Sequence, residues 1–130
     1  MKIGAAAQAS CVSPRMIRHY EALGLLPRPA RRDSGYRDYG PSDLERLRFI
    51  AQARALGFGL EPIGLLLTLW GDEGRASRDV RALAAEHIRA LDEQAKRIRA
   101  MRAALNALME RCPGDDSAEC PIIEALAEPA

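Results

Sequence analysis

Residues 3–26 read IGAAAQASCVSPRMIRHYEALGLL, and this stretch decides the fold. It predicts two short helices, over 3–9 and 14–23, joined at Cys11-Val12-Ser13. Ser13 carries an N-capping hydroxyl, and Pro14 stands at the first helical position, where an N–H has no partner to lose. Gly24 supplies the left-handed residue that ends the second helix. Two short helices across a tight turn form a helix-turn-helix, whose second helix is shaped to enter the major groove of DNA.

Downstream, Leu25-Leu26-Pro27 leads into residues 28–39, where Asp33-Ser34-Gly35 sits mid-segment and Tyr36 and Tyr39 follow. That pattern predicts a β-hairpin, or wing. A third helix is expected from Ser42, with Ser42-Asp43-Leu44-Glu45 as its capping box, to Leu56 before Gly57. Pro62 opens a fourth over 61–70, and the loop Gly71-Asp72-Glu73-Gly74 marks a functional boundary. From Arg78 to Cys112 there is neither Pro nor Gly. Ala84, Leu91, Ile98, Leu105 and Cys112 recur every seventh residue, interleaved with Val80, His87, Gln94, Met101 and Leu108. This is a heptad seam on a helix of about 50 Å, longer than a domain this small, so a second copy of the chain is expected to cover it. His87 and Gln94 are read as register or hydrogen-bonding positions within that seam.

The fold class is therefore mainly α, in three segments. Residues 1–74 form a winged helix-turn-helix DNA-binding domain, 75–111 a dimerisation helix, and 112–130 a metal-binding loop with a short C-terminal helix. Composition agrees: 130 residues with 48% hydrophobic and only 5% aromatic content suit one small helical unit rather than a large sandwich or barrel. The opening residues lack the pattern of a signal peptide, and the longest apolar run, 63–70, is far short of a membrane span. A cytoplasmic location follows as the expectation, where thiols stay reduced. No arrangement of nucleophile, base and oxyanion donors can be assembled around His19 or His87, so an enzyme is not expected.

The net charge of +1 conceals an asymmetry. Residues 1–60 hold ten Lys or Arg against five Asp or Glu, and residues 61–130 hold nine against thirteen. Arg15, Arg18, Arg28, Arg31, Arg32 and Arg37 interleave with His19, Tyr20, Tyr36 and Tyr39 on the second helix and wing. Arginine forks bind phosphate and guanine edges, and tyrosine hydroxyls reach phosphate. Taken as charges alone, a solvated arginine-rich face explains them equally well; the helix-turn-helix context favours DNA.

The run IRHYEALGLL at 17–26 with GYRDY at 35–39 resembles the signature of the MerR family, and the resemblance covers nearly the whole chain. It implies an N-terminal winged helix-turn-helix, a homodimer through a long antiparallel coiled coil, and an effector site at the coiled coil's end. It also implies binding to double-stranded promoter DNA with and without effector. The effector-bound form distorts the DNA so that RNA polymerase holoenzyme engages both promoter elements, which makes the protein an activator. The implied DNA contacts are Arg18, Tyr20, Tyr36 and Arg37, followed by Arg15, Arg31 and Arg54. His19 departs from the family, which usually has an aromatic ring there.

Cys112 closes the long helix, and Cys120 follows a turn-forming loop, PGDDSAE, able to fold the two sulfurs towards each other. Zinc sites take about four ligands, whereas two soft thiolates suit a closed-shell monovalent ion such as Cu(I). Asp115 and Asp116 are read as solvated turn residues. Pro121 makes Cys120 the N-cap of a short helix over 122–126, where orphan N–H groups favour an anionic sulfur. Ile122, Ile123 and Leu126 are available to cover the site. Alternatives are a disulfide-forming redox sensor, a metal-buffering protein, and two unconnected cysteines. The segment CPGDDSAECPIIE at 112–124 resembles the CueR-like, copper-efflux branch of the MerR family. That implies one Cu(I), or Ag(I) or Au(I), per subunit on Cys112 and Cys120. Ser77 stands where divalent-metal members place a third cysteine, which implies selectivity for monovalent ions. Cys11, in the first turn, is expected to be a small core residue.

Overall fold

The computed structural model describes residues 1–28, 35 and 37–129. Among them are six helices: α1 (Ile3–Ser10), α2 (Pro14–Ala22), α3 (Pro41–Ala55), α4 (Leu60–Gly71), α5 (Ser77–Arg111) and α6 (Pro121–Ala127). The chain divides into two compact units, Met1–Leu83 and Ala84–Ala130. The mainly helical class and the long helix stand as expected. The hairpin predicted over 28–39 falls largely outside the described residues, as do Arg31, Arg32 and Tyr36.

The first unit is built on α1, α2 and α3, with α4 packed on α3. Its core includes Ala6, Ile17, Tyr20, Leu26, Tyr39, Leu47, Ile50, Ile63 and Leu67, drawn from α1 to α4 and the segments between them. On α2 the spacing does this directly: Ile17, Tyr20 and Glu21 share one face and are buried, while Arg15, Arg18 and His19 lie on the other and are exposed. Ser13 caps α2 as predicted, its Oγ accepting from the Met16 N–H at 3.2 Å. At the far end Gly24 adopts φ +79, and the Leu25 N–H reaches back to the Tyr20 carbonyl at 3.0 Å.

Two local expectations need correction. The third helix starts at Pro41 with Gly40 as N-cap, and it is Asp43, not Ser42, that closes the cap: its Oδ2 accepts the Gly40 N–H at 2.9 Å. Pro41 at the first helical position, with φ already fixed, outweighs the alternative start one residue later. Cys11 is exposed rather than core, because the turn after α1 needs a left-handed residue there, and Cys11 takes φ +60.

Among the described residues of this unit one charged side chain is buried. The Glu21 carboxylate is sealed beneath α2 and accepts a hydrogen bond from the Tyr39 hydroxyl, itself buried. Burial, followed by the bond to Glu21, pushes the Tyr39 phenol up from 10.0 to about 12, while Arg37 works in the opposite direction.

In the second unit, α5 continues to Arg111, and over its whole 35 residues it has no buried side chain within the chain. Ile88, Leu91, Ile98, Met101, Leu105 and Met109 are all exposed. No helix among the described residues is long and apolar enough to cross a membrane.

Two stability predictions follow from this packing. Ile50→Ala should cost about 2–5 kcal/mol in urea unfolding, because a fully buried side chain leaves a cavity, whereas Leu65→Ala, at a site 52% exposed, should cost much less. For Tyr39 the raised folded pKa places its contribution below the unfolded value near 10, and this is lost as pH rises through about 12. Stability of the wild type should therefore fall by roughly 2–3 kcal/mol more than that of Tyr39→Phe between those pH values. Parallel alkaline limbs for the two proteins would contradict the buried phenol.

Candidate DNA interface and metal centre

The exposed side of α2 carries Arg15, Arg18 and His19 in consecutive turns. Beside it an open cleft of about 660 Å³ is lined by Lys2, Ile3, Gly4 and Ala5 at the start of α1, by Arg18, and by Gly35 and Arg37 from the segment where the wing was expected. Arg18 and Arg37 thus meet across one concave, cationic surface, as a phosphate-tracking groove requires. Arg15 lies on the same face of α2, and Arg28 is exposed beyond its end. Arg54 is exposed near the end of α3, with Nη1 donating to the Phe58 carbonyl at 3.3 Å, so part of its guanidinium is spent on closing that helix.

Tyr20 is placed differently from the other implied contacts. Its residue is 4% exposed and belongs to the core, so its ring holds α2 against the rest of the unit. Arg37 is half-buried, and Nη1 stands 2.5 Å from Oε2 of Glu21, a close ion pair rather than an aligned hydrogen bond. Two residues escaped the sequence reading. Glu21 gave a signal that was legible, a carboxylate four residues after Ile17 on the apolar face of α2, which demands a buried partner. Arg46 gave none: its Nε donates to the Leu25 carbonyl at 2.6 Å and ties α3 to the chain leaving α2, a contact that only the tertiary structure creates.

In the second unit Cys112 follows the last turn of α5, its N–H bonded to the Met109 carbonyl at 3.0 Å. Cys120 is the N-cap of α6, with Pro121 at the first helical position as predicted and without a side-chain capping hydrogen bond. Both cysteines are half-buried and not joined in a disulfide. Between them Gly114 takes φ +64, and Asp115 Oδ1 accepts the Ser117 N–H at 2.9 Å, which turns the loop and lowers the Asp115 carboxyl below its usual range. Asp115 is thus occupied with the turn, in keeping with its reading as a solvated loop residue. Ile122 is half-buried, whereas Ile123 and Leu126 are exposed. Among the described residues no group of three or more His, Cys, Asp or Glu side chains forms a metal cluster. The donor set that remains is two thiols, a fit for a soft ion of low coordination number. Ser77, in the first unit, is exposed as the first residue of α5.

Comparison with known proteins identifies the family. The profile of the MerR helix-turn-helix family of regulatory proteins matches residues 1–69, and that of the MerR DNA-binding region matches residues 44–108. Heavy metal-dependent transcription regulator 2 of Rhizobium meliloti is 48% identical over 127 residues, covering 98% of this chain and 86% of that protein. The transcriptional regulator CueR of Escherichia coli O6:H1 is 40% identical over 126 residues, covering 97% and 93%. Among solved structures, the transcription regulator PbrR691 of Ralstonia metallidurans CH34 in complex with lead(II) superposes with a TM-score of 0.79 at 35% identity, covering 98% of this chain and 99% of that one. With a family profile over more than half its length and relatives at this identity along nearly all of it, the chain belongs to the MerR family of helix-turn-helix regulatory proteins.

Proposed function

We propose that this regulator is a cytoplasmic homodimer that binds promoter DNA and activates transcription when Cu(I), or chemically similar Ag(I) or Au(I), binds Cys112 and Cys120, one ion per subunit. The observation that carries the reading is the pair of half-buried free thiols at the two ends of one loop, directly after a long helix with an uncovered apolar seam. The named relatives support a response to metal. PbrR691 was solved with lead(II), so likeness of fold leaves the choice of ion to the donors. Here these are two sulfurs with Ser77, not a further cysteine, at the position the family resemblance points to.

In this reading Arg15, Arg18 and Arg37 contact DNA from the exposed side of α2 and the cleft. Arg54 contributes with what its helix-closing bond leaves free, and Tyr20 acts by fixing α2. Arg31 and Tyr36 complete the set from the wing. When bound, the ion supplies two strong bonds to sulfur that neutralise thiolate charge and order the loop. Ile122 is half-buried, and Ile123 and Leu126, exposed in the single chain, would have to fold over the loop or against the partner to exclude water from it. To switch the dimer, the ion has only to favour one conformation by a few kcal/mol, enough to move the population and, through it, the DNA presented to RNA polymerase.

Cys112→Ser and Cys120→Ser should each abolish metal-induced transcription while leaving operator affinity within a few-fold of wild type; retained induction in either variant would remove the proposed site. Arg18→Ala should weaken operator binding by about 1–3 kcal/mol if it touches a base edge, and weaken all sequences alike if it touches only phosphate. Unchanged affinity for every DNA would withdraw that assignment. Ser77→Cys adds a third thiolate, which better balances a divalent charge, so a promoter-linked reporter should gain a response to Zn(II), Cd(II) or Hg(II) that wild type lacks. Strong Zn(II) induction of the wild type would overturn the two-thiolate reading.

A further inference from the structure

We infer that Glu21 is a positioning residue for DNA binding: its buried carboxylate holds the Arg37 guanidinium in the orientation from which Arg37 meets the DNA backbone. The inference rests on the reading of Arg37 as a DNA contact. Three observations carry it. First, the Glu21 side chain is 2% exposed, while that of Arg37 is 30% exposed, so the ion pair has a fixed inner end and a solvent-facing outer end. Second, the Glu21 carboxylate is anchored at Oε1 by the Tyr39 hydroxyl, and its buried Oε2, which accepts no hydrogen bond, stands as an ion-pair partner beside Arg37 Nη1. Third, Arg37 lines the open cationic cleft together with Arg18 and the first turn of α1.

A guanidinium has five N–H donors in a rigid fork. Glu21 and the Tyr39 hydroxyl engage its inner side, and the 30% of the side chain that is exposed is the part offered to a phosphate oxygen in the cleft. Holding a long side chain in its binding rotamer before DNA arrives removes an ordering cost otherwise met on binding. Glu21 stands in the last turn of α2, and Arg37 lies within the segment expected to form the wing, so the same ion pair also ties the DNA-reading helix to that segment.

The sign of the effect separates positioning from plain electrostatics. Replacing a carboxylate near a polyanion with a neutral amide adds one net positive charge, which by Coulomb attraction alone tightens DNA binding. Loss of positioning weakens it. Operator affinity and its dependence on salt are to be measured for wild type, Glu21→Gln, Arg37→Ala and the double variant, with Ile50→Ala as a control that lowers stability through the core alone. All are compared at a temperature where circular dichroism shows each to be folded. Glu21→Gln should bind about three- to thirtyfold more weakly, within the span of coupling seen between contacting groups, and should cost nothing further in the Arg37→Ala background. Arg37→Ala should reduce the salt slope by about one, and Ile50→Ala should leave affinity unchanged. Glu21→Asp, which retains the charge but withdraws it by one methylene, is the second variant should the amide fail to fold. It should lose affinity only when Arg37 is present. Equal or tighter binding by Glu21→Gln, or losses that add in the double variant, would overturn the positioning role and leave Arg37 as a contact intact. Unchanged affinity in Arg37→Ala would overturn the contact itself, and the positioning role with it.

Discussion

A helix of 35 residues that buries none of its side chains within its own chain is the constraint on which the account depends. An isolated helix gains little from propensity alone and is held in proteins by burying an apolar face. Leu91, Ile98 and Leu105 recur at heptad spacing and all remain exposed in the single chain, Ile98 at 52%. At about 25 cal/mol per Å² of apolar surface removed from water, covering such a seam stabilises the helix. In the proposed dimer a second copy supplies that cover. The end of the seam is Cys112, so the same association that stabilises the helix places the first thiol at a subunit boundary, where a change at the loop has leverage on the partner.

The DNA-binding unit solves a different problem, namely how to present several arginines to a polyanion while keeping a small core intact. Its answer is division of labour along α2. Ile17 and Tyr20 face inward with Glu21, and Arg15, Arg18 and His19 face outward. The buried carboxylate would be costly alone, as any unpaired interior charge is. Paired with the Tyr39 hydroxyl and Arg37, it becomes the joint between the recognition helix and the chain returning from residues 28–36.

Much of this was legible in the sequence because local rules and global packing agree. Ser13-Pro14 marks the start of α2, Gly24 its end, and the heptads from Ala84 to Cys112 the long helix, and each signal rests on backbone geometry that tertiary contacts do not override. Where two local rules competed, the sequence was ambiguous: Ser42 with Glu45 and Gly40-Pro41 with Asp43 are both respectable helix starts, and the fixed φ of Pro41 prevailed. Cys11 in a left-handed turn carries no sequence signal, since that conformation is normally announced by Gly or Asn. The burial of Tyr20 was hidden by its neighbours, because a tyrosine among arginines reads equally as a surface contact and as a core ring. Arg46 bridging to the Leu25 carbonyl depends on the packing of α3 against residues that precede it by 21 positions, which no local pattern encodes.

The metal reading depends on chemistry more than on fold, since related folds serve different ions and it is the number and softness of donors that choose among them. Two thiolates from Cys112 and Cys120 are the proposed coordination sphere. The most direct test is X-ray absorption at the copper edge on protein loaded with one Cu(I) per subunit. The account predicts a first shell of two sulfur atoms that is lost in both Cys112→Ser and Cys120→Ser. A first shell with a third sulfur, or with nitrogen or oxygen beside the two sulfurs, would contradict it.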